Sequence, residues 1–153
     1  MINDNLKMRG TYTFENLMTG EKKVFSNLLT TAVFDTLLKY FNYSEESTKP
    51  ECDDLDITHF AFGTGTTIPT VSDTQLTTET DRFPFTLKQW DGKKLTVLYS
   101  LKTGDANYFI KEIGIFSKGT ATPGSGTLLS HALIDIDKNS NIAYNVYYTL
   151  TLD

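Results

Sequence analysis

The final segment of the chain carries the pattern that most constrains its fold. Apolar residues stand at every second position of this segment, separated mainly by Asn and Thr: Ile142, Tyr144, Val146, Tyr148, Leu150 and Leu152. Successive side chains of a strand point to opposite faces, so a period of two predicts a long strand with one buried face. The same alternation recurs at residues 95–101 and, over a shorter stretch, in a strand at residues 83–87.

Further segments predict additional strands. Residues 11–15 and 22–26 flank the turn signal Met18-Thr19-Gly20 and predict an N-terminal hairpin. Residues 108–116 and 127–134 are apolar on both faces, which is typical of central strands in a covered sheet. Turn-forming residues separate the segments at 90–92, 102–105, 119–126 and 137–141. Regularly spaced antiparallel strands of this kind predict a sandwich or a barrel.

One segment has the period of a helix. Apolar side chains recur every four residues at Leu29, Val33, Leu37 and Phe41, with Phe34 and Leu38 beside them. This spacing predicts a helix from Leu29 to Phe41. Residues 42–56 are polar and acidic, and we predict a surface loop there. Because 153 residues is the size of one domain, we predict a single mainly β domain over residues 1–153, an antiparallel β-sandwich with one principal α-helix in its N-terminal third.

Charge and cysteine content argue against several classes of function. Lys and Arg number 14 against 19 Asp and Glu, for a net charge of −5, whereas phosphate binding needs a positive surface. We therefore expect no nucleic-acid partner. The sequence has one cysteine, Cys52, and two histidines, with no zinc-ligand spacing among them. No apolar run approaches the roughly 18 residues of a membrane helix, so we expect no membrane association.

Two motifs resemble ligand loops but lack residues that those loops need. Residues 63–67, Gly-Thr-Gly-Thr-Thr, have neither the lysine of a Walker loop nor the third glycine of a dinucleotide loop. Four residues have the spacing of the first calcium ligands of an EF-hand: Asp135, Asp137, Asn139 and Asn141. Ser140 replaces the turn glycine of that loop, and Val146 stands where a bidentate Glu is needed. We therefore predict two structural turns, with no cofactor, no metal site and no calcium requirement.

The sequence also lacks a recognisable catalytic group. His59 and His131 lie in extended segments, and neither stands beside Ser or Cys in a nucleophile motif. Carboxylates are paired in the sequence at Asp53 and Asp54 and at Glu79 and Asp81, but a glycosidase pair needs opposed placement across a cleft, which proximity in sequence does not supply. We predict that the chain is not an enzyme and has no catalytic residues.

Aromatic side chains leave one binding function open. Tyr144, Tyr147, Tyr148 and Trp90 could stack on sugar rings, so a carbohydrate-binding β-sandwich module, with a receptor-binding role, is an alternative. Alternating aromatics of a long strand are also typical of cross-strand pairs in a core.

A series of short segments resembles small bacteriophage virion proteins. The series runs in order through residues 9–152 and includes residues 27–30 (Asn-Leu-Leu-Thr), 60–67 (Phe-Ala-Phe-Gly-Thr-Gly-Thr-Thr), 72–74 (Ser-Asp-Thr), Glu79 and Arg82. Residues 110–116 (Ile-Lys-Glu-Ile-Gly-Ile-Phe) and 126–131 (Gly-Thr-Leu-Leu-Ser-His) resemble a stretch of phage tail-collar and tail-fibre attachment domains.

The resemblance implies a virion structural protein of the tail, collar or baseplate that acts by assembly rather than catalysis. The partners that it implies are other phage virion proteins and further copies of the chain, in a ring or a trimer. The implied location is the virion, after synthesis in the cytoplasm of a bacterial host. Where such a domain begins a fibre, a long trimeric shaft follows, whereas this sequence ends at Asp153. We therefore expect an adaptor, collar or fibre-anchoring subunit.

Five residues of the resembling segments are expected to shape the fold: Gly63, Gly65, Arg82, Glu112 and Gly114. Arg82 and Glu112 each stand in an otherwise apolar strand, where a lone charge would be costly, so we predict that they form a partly buried pair. The polar loops at residues 42–56 and 119–126 have no evident packing duty and are the expected contacts with neighbours.

Overall fold

The computed structural model describes residues 7–41 and 52–153, which form two antiparallel sheets and one α-helix. In chain order the elements are β1 (Met8–Asn16), β2 (Lys22–Ser26), β3 (Leu28–Leu29), α1 (Thr31–Phe41), a 3₁₀ helix (Cys52–Leu55), β4 (Ile57–Gly63), β5 (Glu79–Pro84), β6 (Leu87–Asp91), β7 (Lys94–Leu101), β8 (Phe109–Ser117), β9 (Thr127–Asp137) and β10 (Tyr144–Leu152). The prediction of a mainly β fold with one principal helix is confirmed.

Each sheet has five strands. The first has the order β2-β1-β10-β7-β6 and the second the order β3-β9-β8-β4-β5. The chain passes to the second sheet at Asn27, between β2 and β3, and returns at residues 85–86, between β5 and β6. This return divides the alternation at residues 83–87 between two strands, so the prediction of one strand there is wrong. The predicted central strands, β8 and β9, do lie inside the second sheet.

The core lies between the inner faces of the two sheets. β1 and β10 pair Tyr12 with Tyr148 and Phe14 with Val146, and all four side chains are buried. The second sheet contributes Phe60, Phe62, Ile113, Ile115 and Ala132. The rings of Phe14 and Phe62 meet edge-on across the core, with 6.5 Å between centroids. Truncation of a buried Phe costs about 3–5 kcal/mol, so contacts of this kind hold the sheets together.

The helix begins at Thr31, later than the predicted Leu29. The two residues of β3 pair with β9 instead, and Thr30 Oγ1 donates to the Leu128 carbonyl at 2.6 Å. These bonds keep the chain extended, although its apolar spacing is helical. The described helix extends to Phe41, the last described residue before position 52. Within the described ranges, no helix is long and apolar enough to cross a membrane.

The predicted surface loop at residues 42–56 lies only partly within the described structure, because residues 42–51 are outside it. The part that follows forms the 3₁₀ helix. Ser117 at the end of β8 donates from Oγ to the Asp54 carbonyl at 2.7 Å. This end of the predicted loop is therefore attached to the second sheet.

Candidate functional site

A long loop covers the outer face of the second sheet. Residues 64–78, here called the β4–β5 loop, connect β4 to β5 and carry Leu76 over this face. Leu76 packs with Ala61, Phe116 and Leu128 in a small second core, in which all four side chains are buried. Burial of a leucine of this kind contributes about 1.5–3 kcal/mol. The loop is therefore part of the packed fold.

Glu112, fully buried in β8, binds both ends of the β4–β5 loop. Its Oε1 accepts hydrogen bonds from the backbone N–H groups of Gly65, at 2.9 Å, and Thr78, at 2.6 Å. Its Oε2 accepts one from Thr77 N–H at 2.9 Å. Burial raises the pKa of this carboxyl, but the hydrogen bonds from His131 and the loop outweigh burial and hold the pKa below its ordinary value. A charged carboxylate thus ties the loop to the sheet.

Three glycines leave the space that this arrangement needs. A Cβ added at Gly63 would lie 2.6 Å from Glu112 Oε1, and one at Gly65 would lie 2.4 Å from the same oxygen. At Gly114 a Cβ would meet Leu128 Cδ1 at 2.8 Å. Any side chain would therefore displace the carboxylate or the loop. Of the five residues predicted to shape the fold, the structure brings these three glycines and Glu112 together.

His131 joins Glu112 to the middle of the loop. The ring is buried in β9, with Nε2 3.1 Å from Glu112 Oε2 and Nδ1 2.8 Å from Asp73 Oδ2. Burial lowers the pKa of His131, but the two carboxylates outweigh burial and raise the pKa above its ordinary value. Asp73 also accepts hydrogen bonds from Thr70, through N–H at 2.9 Å and Oγ1 at 2.6 Å. One network therefore runs from Thr70 through Asp73 and His131 to Glu112.

The arrangement of this cluster favours a structural role, in which it fastens the β4–β5 loop to the sheet, over proton transfer to a substrate. A histidine that acts as a general base directs one ring nitrogen at its substrate. Both nitrogens of His131 are instead within hydrogen-bond distance of carboxylates of the protein, so neither is directed at an outside molecule. In the described ranges, no group of three or more His, Cys, Asp or Glu side chains has an arrangement that could hold a metal ion.

The predicted pair of Arg82 and Glu112 is wrong, because Arg82 binds Glu79. Its Nε and Nη2 donate to the two carboxylate oxygens of Glu79 at 2.7 and 2.8 Å, with both side chains almost fully buried. The guanidinium also lies over the Phe116 ring, 4.0 Å from its centroid. Arg82 and Glu112 lie on β5 and β8, which flank β4 and are therefore about 9–10 Å apart.

The loop at residues 119–126, which was expected to be a free contact loop, has a packing role. Arg82 Nη1 donates to the Ser125 carbonyl and to its Oγ, the latter at 3.1 Å. Gly124 N–H donates to Glu79 Oε2 at 3.2 Å. These bonds hold the loop against the ion pair, so the expectation that it lacks a packing duty is wrong.

A lysine of the protein occupies the turn that has calcium-like spacing. Lys138 is buried after β9, and its Nζ donates to the Asn107 side chain at 2.9 Å and to the carbonyls of Asn139 and Thr103 at 3.0 and 3.3 Å. Burial lowers the pKa of this ammonium group. An internal cation is therefore bound by one carbonyl of this turn and by two oxygens of the segment between β7 and β8, while the absence of a calcium requirement stays a prediction.

Of the four aromatic residues considered for sugar stacking, Trp90 is the most exposed. Tyr144 and Tyr148 belong to the core, and Tyr147 is half-buried. Trp90 is 75% exposed on β6. The structure does not bring the four side chains together as one sugar platform.

The helix presents a second exposed apolar surface, here called the α1 stripe. It consists of Phe34, Leu38 and Phe41, which lie on one side because they are four and three residues apart. Leu38 is 65% exposed and Phe41 is 83% exposed, whereas Val33 on the inner side is buried. Apolar side chains gathered in this way are typical of contact surfaces for other molecules.

Comparisons of the chain with protein-family models, with curated proteins and with solved structures each returned no match. The resemblance to phage tail-collar and tail-fibre attachment domains therefore rests on its short sequence segments.

Sequence reasoning missed the roles of His131, Asp73 and Glu79 as charged partners. His131 follows the apolar run of β9, and Asp73 lies in a Thr- and Ser-rich turn, so no local pattern links them. The available signal was the charge of Glu112 within an apolar strand. That signal indicated the need for a partner but not which partner.

Proposed function

We propose that this chain is a bacteriophage virion structural protein that acts by protein–protein contacts in the tail, collar or baseplate, as an adaptor or fibre-anchoring subunit, and is not an enzyme. The observation that carries the proposal is the α1 stripe, an apolar surface on the outside of a folded β protein. The segments that resemble tail-collar and tail-fibre attachment domains supply the class of partner, which is other virion proteins.

The placement of charges supports an assembly role. Glu112, His131 and Arg82 form hydrogen bonds with loops that cover the outer face of the second sheet. These groups stabilise the fold and leave contact with other molecules to the surface. A subunit of this kind can form a homo-oligomeric ring or trimer, because cyclic symmetry gives one small chain a closed set of identical contacts.

The test is to locate the chain in particles of the phage whose genome encodes it. Mass spectrometry of purified virions is expected to detect the chain, and cryo-electron microscopy is expected to place it in the tail, collar or baseplate. Absence of the chain from purified particles would contradict the proposal.

A pair of variants tests whether the α1 stripe is needed for incorporation of the chain into particles. Leu38→Lys puts a charge into the stripe without changing the core, and we expect its incorporation into particles to fall severalfold. Asp35→Asn, an exposed change on the same helix, is the matched control and is expected to keep normal incorporation. Equal incorporation of both variants would show that the stripe is not the docking surface.

The alternative function, a carbohydrate-binding module, now depends on Trp90. An exposed indole ring can stack on a sugar, and its fluorescence reports such a contact directly. Saturable quenching by a bacterial surface oligosaccharide, abolished in Trp90→Ala, would favour this alternative.

A further inference from the structure

The two ends of the sandwich differ in how the space between the sheets is filled. At one end aromatic rings pack together, and the centroid of Phe14 lies 6.5 Å from that of Phe62 and 5.9 Å from that of Tyr144. At the other end the facing side chains are mainly aliphatic, and they leave a cavity of about 250 Å³. Protein cores seldom contain voids larger than a water molecule, so a cavity of this size is unusual.

The walls of the cavity come from the same end of both sheets. The first sheet contributes Met8, at the start of β1, and the cross-strand pair of Leu95 and Leu150. The second sheet contributes Ile57, at the start of β4, and Leu129 of β9. Ile57 and Leu129 are buried, whereas the three residues of the first sheet are partly exposed. The cavity therefore has a buried base and a rim that solvent reaches.

The two helices border a further side of the cavity. Val33 and Leu37 of α1 and Leu55 of the 3₁₀ helix belong to the lining. Val33 and Leu37 are four residues apart and share the side of α1 that packs against the core. The α1 stripe lies on a different side of the same helix, so the cavity and the stripe are separate apolar surfaces.

The lining has almost no polar groups. Among the described residues that line the cavity, only Tyr148 carries a side-chain oxygen or nitrogen, and its hydroxyl already accepts a hydrogen bond from Asn27 Nδ2 at 3.3 Å. An ordered buried water needs about two to four polar partners, so this cavity does not suit water. Apolar cavities of about 150 Å³ stay dry and bind small apolar molecules. The larger cavity here suits an apolar ligand for the same reason.

We propose that this cavity is a binding site for the alkyl chain of a single-chain amphiphile. The described lining has no charged group to bind an ionic ligand, and Tyr148 supplies its only aromatic ring. An alkyl chain needs neither kind of partner, and it gains from the removal of its methylene groups from water. The polar head group of the amphiphile stays in solvent at the rim. The inference concerns a cavity within one chain and does not rest on the virion assignment.

Titration of the full-length chain with octyl glucoside, below the concentration at which it forms micelles, tests the proposal. Methyl glucoside is the control ligand, because it has the same sugar without the long chain. In NMR spectra of the methyl groups, we expect saturable shifts at Ile57, Val33 and Leu129 with octyl glucoside only. Equal shifts with methyl glucoside would overturn the proposal. So would shifts at Leu38 that leave these three residues unchanged, since they would place the alkyl chain on the α1 stripe.

Two variants of neighbouring residues locate the site independently. Leu37→Trp puts an indole into the cavity, and we expect it to weaken octyl glucoside binding at least tenfold. Leu38→Trp puts the same indole on the α1 stripe and is expected to bind as the wild-type chain does. Circular dichroism checks that both variants keep the fold. Unchanged binding by folded Leu37→Trp would overturn the proposal, as would a wild-type chain without saturable binding, a result that does not depend on either variant.

Cosedimentation with phosphatidylcholine vesicles distinguishes two sources of the alkyl chain. We expect the wild-type chain to stay in the supernatant while it binds octyl glucoside, which would support a free amphiphile as the ligand. Sedimentation of the wild-type chain but not of Leu37→Trp would support the same cavity with a membrane lipid as the source. Equal sedimentation of both would place membrane contact elsewhere and count against the cavity.

Discussion

The outer faces of the two sheets show two ways of building a surface from antiparallel strands. On the first sheet, cross-strand pairs such as Thr11 with Thr149 are half-buried and uncharged. On the second sheet, the β4–β5 loop lies over the face, and Glu112 and His131 are buried beneath it. The difference teaches that charges are buried here where every polar atom finds a partner, because an unpaired buried charge would be costly.

The strongest test removes the carboxylate under the covered face. Glu112→Ala leaves three backbone N–H groups and His131 without their acceptor. Loss of one partner from a buried charged pair costs about 3–5 kcal/mol, and we expect the free energy of unfolding in urea to fall by that amount. Asp135→Ala removes an exposed carboxylate paired with Lys111, and its loss should stay within about 0.5 kcal/mol. Similar losses for both variants would contradict the role given to Glu112.

The next test fills the space under the loop. Gly65→Ala puts a Cβ against Glu112 Oε1 and should cost about 1–3 kcal/mol, with increased proteolysis within residues 64–78. Gly104→Ala is the matched control, because a Cβ there meets no atom within 4 Å. A control variant as unstable as Gly65→Ala would show that the cost comes from the backbone and not from crowding.

The pH dependence of stability distinguishes the contribution of the histidine from those of the two carboxylates in the cluster. The pKa of His131 is raised, so its contribution is fully present below the ordinary value of 6.5 and is lost as pH rises through the raised pKa. The pKa values of Glu112 and Asp73 are lowered, so their contributions are present above the ordinary values of 4.5 and 3.8 and are lost as pH falls through the lowered ones.

The cluster should therefore stabilise the fold most between pH 4.5 and 6.5. We expect a decline of about 1 kcal/mol above this window in the wild-type chain. His131→Gln should remove that decline in thermal melts across pH. An unchanged slope in the variant would assign the decline to other groups.

The smallest effect is expected on the bare face of the first sheet. Thr149→Ala changes a half-exposed strand position, and strand preferences span only about 1 kcal/mol. Leu128→Ala, on the covered face, should cost about 2–5 kcal/mol in the same denaturation assay. A Thr149→Ala loss as large as that of Leu128→Ala would remove the distinction between the two faces.

Much of this distinction could be predicted from the sequence. The alternation in β10 predicted one buried face, and the uninterrupted apolar runs of β8 and β9 predicted strands covered on both faces. The start of α1 was predicted too early, because pairing of β3 with β9 overrides a helical spacing. Such pairing depends on residues about 100 positions away in the chain, which no local pattern reports.

The sequence by itself determined the strand periods, the one α-helix of the described residues, and the need of Arg82 and Glu112 for charged partners. These features follow from the regular period with which side chains return to one face of a strand or a helix, and from the cost of burying a charge. Only the tertiary structure decided which partners they have. Strand order places β4 between Arg82 and Glu112, and the β4–β5 loop brings Asp73 to His131. Partner choice is set by the register of strands distant in sequence, so it emerges only when the sheets assemble.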